Sequence, residues 1–215
     1  MKHFNNITTL IFDLGGVLVN LDLEQCILNF KQLGLKNFEP LMGQFGQKGF
    51  FLEFEKGKIS IEQFRNQIRK LTDQSITDAQ INQAWSSFLC DIPNQKLEML
   101  LELKKKFRLL LLSNTNPLHI EGAVPVEFAK VGKKISDIFE KCYLSYEMGM
   151  AKPSPEIFEA LLVDAGVKPE ECLFLDDGIK NIEQANKLNI QTYLVDPNED
   201  LSFLLKPETW NCLAQ

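Results

Sequence analysis

The chain has 215 residues, 45% hydrophobic and 24% charged, which suits one medium domain or a core carrying a large insertion and excludes disorder as the default. Lys and Arg total 23 against 29 Asp and Glu, a net charge of −6 that offers no basic footprint for nucleic acid. No stretch approaches the ~18 uninterrupted apolar residues of a membrane span, and the five cysteines (Cys26, Cys90, Cys142, Cys172, Cys212) form no C-x-x-C pair, so neither a zinc site nor a disulfide framework is indicated.

Met1 to Asn6 is polar and the apolar run around Leu10 is cut by Asp13, a pattern unlike a secretory leader, so a reducing cytoplasm is the expected setting. Residues Thr8 to Phe12 read as a buried strand that stops at Asp13 and the tight loop Gly15-Gly16. From Asp22 to Asp91 no strand is evident. Asp22 with Gln25, Ser60 with Gln63 and Thr77 with Gln80 carry the spacing of reciprocal helix caps. The phenylalanines at 45, 50, 51, 54 and 64, with Trp85 and Phe88, give this helical insertion a core of its own, while Gln44, Phe45, Gln47 and Lys48 are candidates to face a substrate.

Beyond the insertion, a helix over Asn94 to Lys106 precedes a leucine strand, Arg108 to Leu112, which runs into Ser113-Asn114-Thr115-Asn116. Lys152 stands just before a helix over Ser154 to Ala165, with Ser154 the expected cap and Pro155 in first position. A strand over Cys172 to Leu175 leads to Asp176-Asp177-Gly178, a helix over Asn181 to Leu188 follows, and a last strand over Thr192 to Val195 ends at Asp196-Pro197. The alternation predicts an α/β fold, a parallel sheet covered on both faces with its site at the carboxyl ends of the strands. His3 and His119 read as surface residues.

Each of these polar positions has a plain structural role open to it: a loop starter at Asp13, a helix cap at Ser113, a solvated lysine at Lys152, a solvated acidic turn at Asp176-Asp177. Taken together they point to chemistry. Asp13 beside two adjacent acids would repel them strongly unless a cation intervened, and oxygen-only donors suit Mg²⁺. A hydroxyl with free N–H groups at Ser113-Asn114 suits a phosphate oxygen, and Lys152 balances the acids.

These four segments, Ile11-Phe12-Asp13-Leu14-Gly15-Gly16-Val17, Leu112-Ser113-Asn114, Lys152-Pro153 and Leu175-Asp176-Asp177-Gly178, resemble in order and placement the motifs of the haloacid dehalogenase-like (HAD) hydrolase superfamily. The similarity is greatest to its helical-capped phosphatase branch, including sugar-phosphate phosphatases with an Asp-Leu-Gly first motif. The resemblance implies a Rossmann-like core over 1–20 and 92–215 and a helical cap over 21–91. It also implies a Mg²⁺-dependent phosphatase acting on a small phosphorylated metabolite, such as a hexose 1-phosphate, through an aspartyl-phosphate on Asp13. Ser113 and the N–H of Asn114 would hold phosphate oxygens, and Lys152 would neutralise charge on Asp13 and on the transferring group. Asp13, the carbonyl of Gly15, Asp176 and Asp177 would hold the metal, and Asn181 would tie the last motif together.

Gly15 departs from the pattern: most relatives carry there a second Asp that protonates the leaving oxygen. General acid–base assistance is worth ~10²–10⁴-fold, or about 3–5 kcal/mol, so its loss leaves an active phosphatase favouring good leaving groups, a slow enzyme or a module that binds without turnover; a haloacid dehalogenase is a separate alternative, against which Asp176-Asp177 argues. Expected partners are one small phosphorylated metabolite, no nucleic acid and no membrane, with the chain a monomer or weak homo-oligomer.

Overall fold

The computed structural model describes residues 4–43 and 47–211. The strands are β1 (Phe4–Asn5), β2 (Thr9–Phe12), β3 (Arg108–Ser113), β4 (Lys141–Leu144), β5 (Cys172–Asp176), β6 (Gln191–Leu194) and β7 (Trp210–Asn211). Five of them form a parallel sheet in the order β4-β3-β2-β5-β6, and β1 pairs with β7 apart from it. The parallel α/β class expected from the sequence is therefore present, and the predicted strands appear within one or two residues of their expected ends.

The apolar runs read as continuous because both faces of the sheet are covered. Leu10, Phe12, Leu109, Leu111, Leu173 and Leu175 point to one face, where Leu97, Leu100 and Phe128 pack from α5 (Asn94–Leu103) and α6 (Val124–Ala129). The alternate residues Ile11, Leu110, Leu112 and Phe174 point to the other, against Phe158 and Leu161 of α9 (Pro155–Ala165) and Ala185 of α10 (Ile179–Lys187). The short helices α7 (Ile135–Ile138) and α8 (Ser145–Met148) flank β4, which sequence reading missed: four residues at a sheet edge, beginning with an exposed lysine, carry little strand signal.

The chain leaves the sheet after β2 and builds α1 (Leu23–Gln32), α2 (Gly49–Glu55), α3 (Ile61–Arg69) and α4 (Asp78–Ser86) before returning. These helices enclose a separate apolar cluster in which Phe30, Phe38, Phe51, Phe54, Phe64 and Trp85 are fully buried. Ser60 and Thr77 form the expected reciprocal caps with Gln63 and Gln80. Asp22 accepts from Gln25 N, but the Gln25 side chain turns to Asn29 instead, so the first cap is one-sided. Among the described residues no helix is long and apolar enough to cross a membrane.

Candidate active site

Strands β3, β2 and β5 lie side by side, with Phe12 paired to both Leu111 and Leu175, so their carboxyl ends open onto one spot. Asp13 extends the β2–β5 ladder by one bond, Asp13 N to Leu175 O at 2.9 Å, which fixes its backbone on the rigid centre of the sheet. Its Oδ1 accepts from Leu14 N at 2.7 Å and pairs with Lys152 Nζ at 2.9 Å. Gly16 has φ +75°, and a Cβ there would lie 2.0 Å from Asp177 Oδ2; only glycine lets the Asp13 loop and the Asp177 carboxylate approach so closely.

Lys152 is almost completely buried, and its three ammonium hydrogens match three acceptors: Asp13 Oδ1, Asp176 Oδ2 at 2.6 Å and the Leu112 carbonyl at 2.9 Å. Its backbone is clamped by the Asn114 side chain, whose Oδ1 accepts from Lys152 N at 2.8 Å and whose Nδ2 donates to Lys152 O at 2.9 Å. Only the backbone N–H of Asn114 is expected to act from the sequence; the side-chain clamp spans 38 residues and has no local signal. Ser154 occupies the expected position before α9 but makes no cap bond; its hydroxyl turns instead to Glu156. Lys152 is thus held by Asn114 from the neighbouring strand end rather than by a capped helix start.

Asp13, Asp176 and Asp177 each offer a carboxylate oxygen, and these oxygens lie within 4.8 Å of one another. Burial, reinforced by the neighbouring acids and opposed by Lys152, pushes Asp13 up to about 7; burial and then Asp176 push Asp177 up to about 6. Burial alone would pull Lys152 down, but the attraction of Asp13 and Asp176 outweighs it and keeps the ammonium charged. Carboxylates made hard to ionise by one another and by exclusion of water are relieved by a divalent cation, and an all-oxygen donor set on a glycine-floored loop fits Mg²⁺. Asn181 Nδ2 donates to Asp176 Oδ1 at 2.8 Å, as expected of a residue that ties this segment together.

Ser113 is buried at the end of β3, and among the described residues its hydroxyl has only a long contact, 3.5 Å to Asn114 O, which leaves it available to a ligand. Together with Asp13, Gly15, Asn114, Lys152 and Asp177 it lines an inner cavity of about 60 Å³. This opens into an outer cleft of about 740 Å³ walled on one side by Gln47, Lys48, Leu52 and Lys56. Gln47 and Lys48 therefore reach the cleft; Gln44 and Phe45 lie outside the described residues.

Two residues correct the sequence reading. His119, expected at the surface, is buried: it stacks on Trp85 with ring centroids 4.9 Å apart, and its ring nitrogens meet Asn116 Nδ2 at 3.1 Å and the Trp85 carbonyl at 3.2 Å. Burial lowers its pKa to about 4, so the ring is neutral and packed. Glu55, at the end of α2, belongs to none of the four motifs, yet it lines both cavities, and burial raises its carboxyl to about 8.

The model of the haloacid dehalogenase-like hydrolase family matches residues 7–189. A D-ribitol-5-phosphate phosphatase of Bacteroides thetaiotaomicron is 38% identical over 194 residues, covering 90% of this chain and 94% of the relative. A HAD family enzyme of the same organism, crystallised as an aspartate-to-alanine variant with magnesium and inorganic phosphate, is 46% identical. It superposes with a TM-score of 0.90 over 93% of this chain and 99% of that one. A predicted HAD-like family hydrolase from Porphyromonas gingivalis is 36% identical, with a TM-score of 0.86 over 93% of this chain and 96% of that one. With three polar strand ends and the buried Lys152 gathered about one acidic cluster and residues 7–189 matched, the chain belongs to the haloacid dehalogenase-like hydrolase family.

Proposed function

We propose that this protein is a Mg²⁺-dependent phosphatase of a small sugar or polyol phosphate, with the helical segment 21–91 as its cap. The observation that carries this reading is the buried Asp13–Lys152–Asp176 arrangement beside Asp177, in a chain 38% identical to a ribitol-5-phosphate phosphatase. Asp13 would attack phosphorus in line, form an aspartyl-phosphate and be freed by water. Its Oδ1 is held by Leu14 N and Lys152, whereas no bond engages its second oxygen among the described residues. With all three hydrogens committed, Lys152 acts on the transferring group as a fixed charge. Ser113 and the N–H of Asn114 take phosphate oxygens. Asp13, the Gly15 carbonyl and Asp177, with Asp176 direct or through water, would hold a Mg²⁺ whose charge lets an anionic nucleophile meet an anionic ester.

The inner cavity is small enough to admit the phosphoryl end alone, and the outer cleft suits the polyol chain. The acidic balance supports a small metabolite rather than nucleic acid as partner, and the four described cysteines, all free thiols, support a cytoplasmic setting. Purified protein with Mg²⁺ is expected to release phosphate from polyol and sugar phosphates, ribitol 5-phosphate among them, and Asp13→Asn to abolish release while melting cooperatively. Release undiminished in Asp13→Asn would overturn the reading.

A further inference from the structure

A phosphomonoester bridges two environments, and its scissile oxygen sits where they meet. Asp13 marks the phosphoryl recess and attacks from the sheet, so the leaving oxygen faces away from it, toward the helices above. An alkoxide leaving from a polyol needs a proton, and Gly15, with no side chain, supplies none.

Three groups that line both the inner cavity and the outer cleft could carry a proton: Glu55, Lys152 and Asp177. Lys152 is locked into two ion pairs and a carbonyl contact, and Asp177 belongs to the acidic cluster. His119 lines the inner cavity but has both ring nitrogens engaged. Glu55 remains. It is 6% exposed, and no hydrogen bond or ion pair joins its carboxyl to any described residue, including Asp13, Asp176 and Asp177. Its backbone is held firmly: the carbonyl lies 2.5 Å from Ser145 Oγ, which itself accepts from Thr115 N at 2.9 Å. Two residues on, Gly57 sits at φ +63° with its Cβ position 2.1 Å from the Tyr146 carbonyl, so the end of α2 closes directly onto the sheet domain.

We infer that Glu55 is the proton donor and acceptor of the reaction, supplied from the helical segment in place of a side chain at residue 15. This rests on the phosphatase reading above. In the first step the Asp13 oxygen–phosphorus bond forms, the bond from phosphorus to the leaving oxygen breaks, and the Glu55 proton passes to that oxygen. In the second, water attacks phosphorus, its proton passes to the Glu55 carboxylate, the Asp13–phosphorus bond breaks and inorganic phosphate departs. Burial, the first cause, raises its pKa and so favours the protonated form that the first step requires.

The test compares wild type with Glu55→Gln on ribitol 5-phosphate, a poor leaving group, and 4-nitrophenyl phosphate, a good one, with Mg²⁺ present. For the polyol ester kcat/KM is expected to fall ~10²–10⁴-fold, and for the aryl ester, whose leaving group needs no proton, by less than about tenfold. Because the second step also loses its base, the variant should show a burst of about one 4-nitrophenolate per site. Gly15→Asp added to Glu55→Gln is expected to recover polyol-phosphate turnover at least about tenfold. The new Cβ would stand 3.3 Å from the movable Leu21 Cδ2, at a backbone angle open to any residue. Should Glu55→Gln not fold, Glu55→Asp is expected to show the same selective loss at smaller amplitude. Equal losses on the two esters, or a loss confined to KM, would make Glu55 a binding residue and overturn the inference. Wild type inert toward both esters would instead remove the phosphatase reading, and the inference with it.

Discussion

Asp176 is fully buried with both oxygens engaged, Oδ1 by Gly178 N and Asn181 Nδ2 and Oδ2 by Lys152, whereas no hydrogen bond ties the Asp177 carboxylate to another described residue. Two neighbours in the chain are thereby suited to different tasks. On the proposed reading Asp177 would meet the cation directly, and Asp176, direct or through water, would be held in place by its own bonds. Removing an outer partner of a ligating group costs ~10–100-fold in metal affinity. Asn181→Ala is therefore expected to raise the Mg²⁺ concentration for half-maximal phosphate release by that order, with a smaller change in rate at saturating Mg²⁺. A calorimetric titration showing unchanged Mg²⁺ affinity would mean that Gly178 N and Lys152 alone suffice to orient the carboxylate. Asp13, Ser113 and the acid pair were legible in the sequence because each terminates an apolar run. The Asn114 clamp, the contact between His119 and Trp85 and the anchoring of Glu55 join residues 38, 34 and 90 apart, and nothing local announces them.

Elements were legible where composition acts locally. The β2, β3 and β5 runs are buried on both faces and needed no partner to be identified, and the Ser60 and Thr77 caps are written within three residues. Edge strand β4 and the seating of α2 were not, since both depend on what packs against them. α2 is only seven residues long, and its end is positioned by Gly57, where a left-handed φ coincides with close approach to the Tyr146 carbonyl. A methyl group at 57 must push that end of the helix, with Glu55, off the sheet domain. Misplacement of a reacting group by about 1 Å costs on the order of 10²-fold. Gly57→Ala is accordingly expected to reduce turnover of polyol phosphates toward that extent while reducing kcat/KM for 4-nitrophenyl phosphate much less. A uniform loss on both esters, accompanied by a lower melting temperature, would place the effect in folding rather than in the position of Glu55.

At the scale of the whole molecule, the sheet domain and the helical segment are joined at three places: the seating of the end of α2 against Ser145 and Tyr146, an antiparallel strap and a buried aromatic contact. The two connecting segments run antiparallel, with Leu21 bridged to Leu89 and bonds from Asn20 N to Asp91 O, Cys90 N to Asn20 O and Asp22 N to Phe88 O. His119, from the sheet domain, completes the seam by stacking on Trp85 of α4 and meeting its carbonyl. Because burial holds the folded-state pKa near 4, against 6.5 for the free side chain, the unfolded chain binds the proton more readily. The neutral ring's contribution is thus fully present above pH 6.5, declines as pH falls from 6.5 toward 4, and changes no further below that. The loss amounts to at most about 3 kcal/mol. His119→Phe keeps a ring against Trp85 but leaves the Trp85 carbonyl and Asn116 Nδ2 without their ring-nitrogen partners, so it should be less stable than wild type at pH 7 by about 1–3 kcal/mol. Urea unfolding of both proteins at pH 7, 6, 5 and 4, without Mg²⁺, lets the carboxylates common to both cancel in the difference. That difference is expected to shrink as pH falls through this window; a constant difference would mean that His119 accepts its proton in the folded protein as easily as in the unfolded chain.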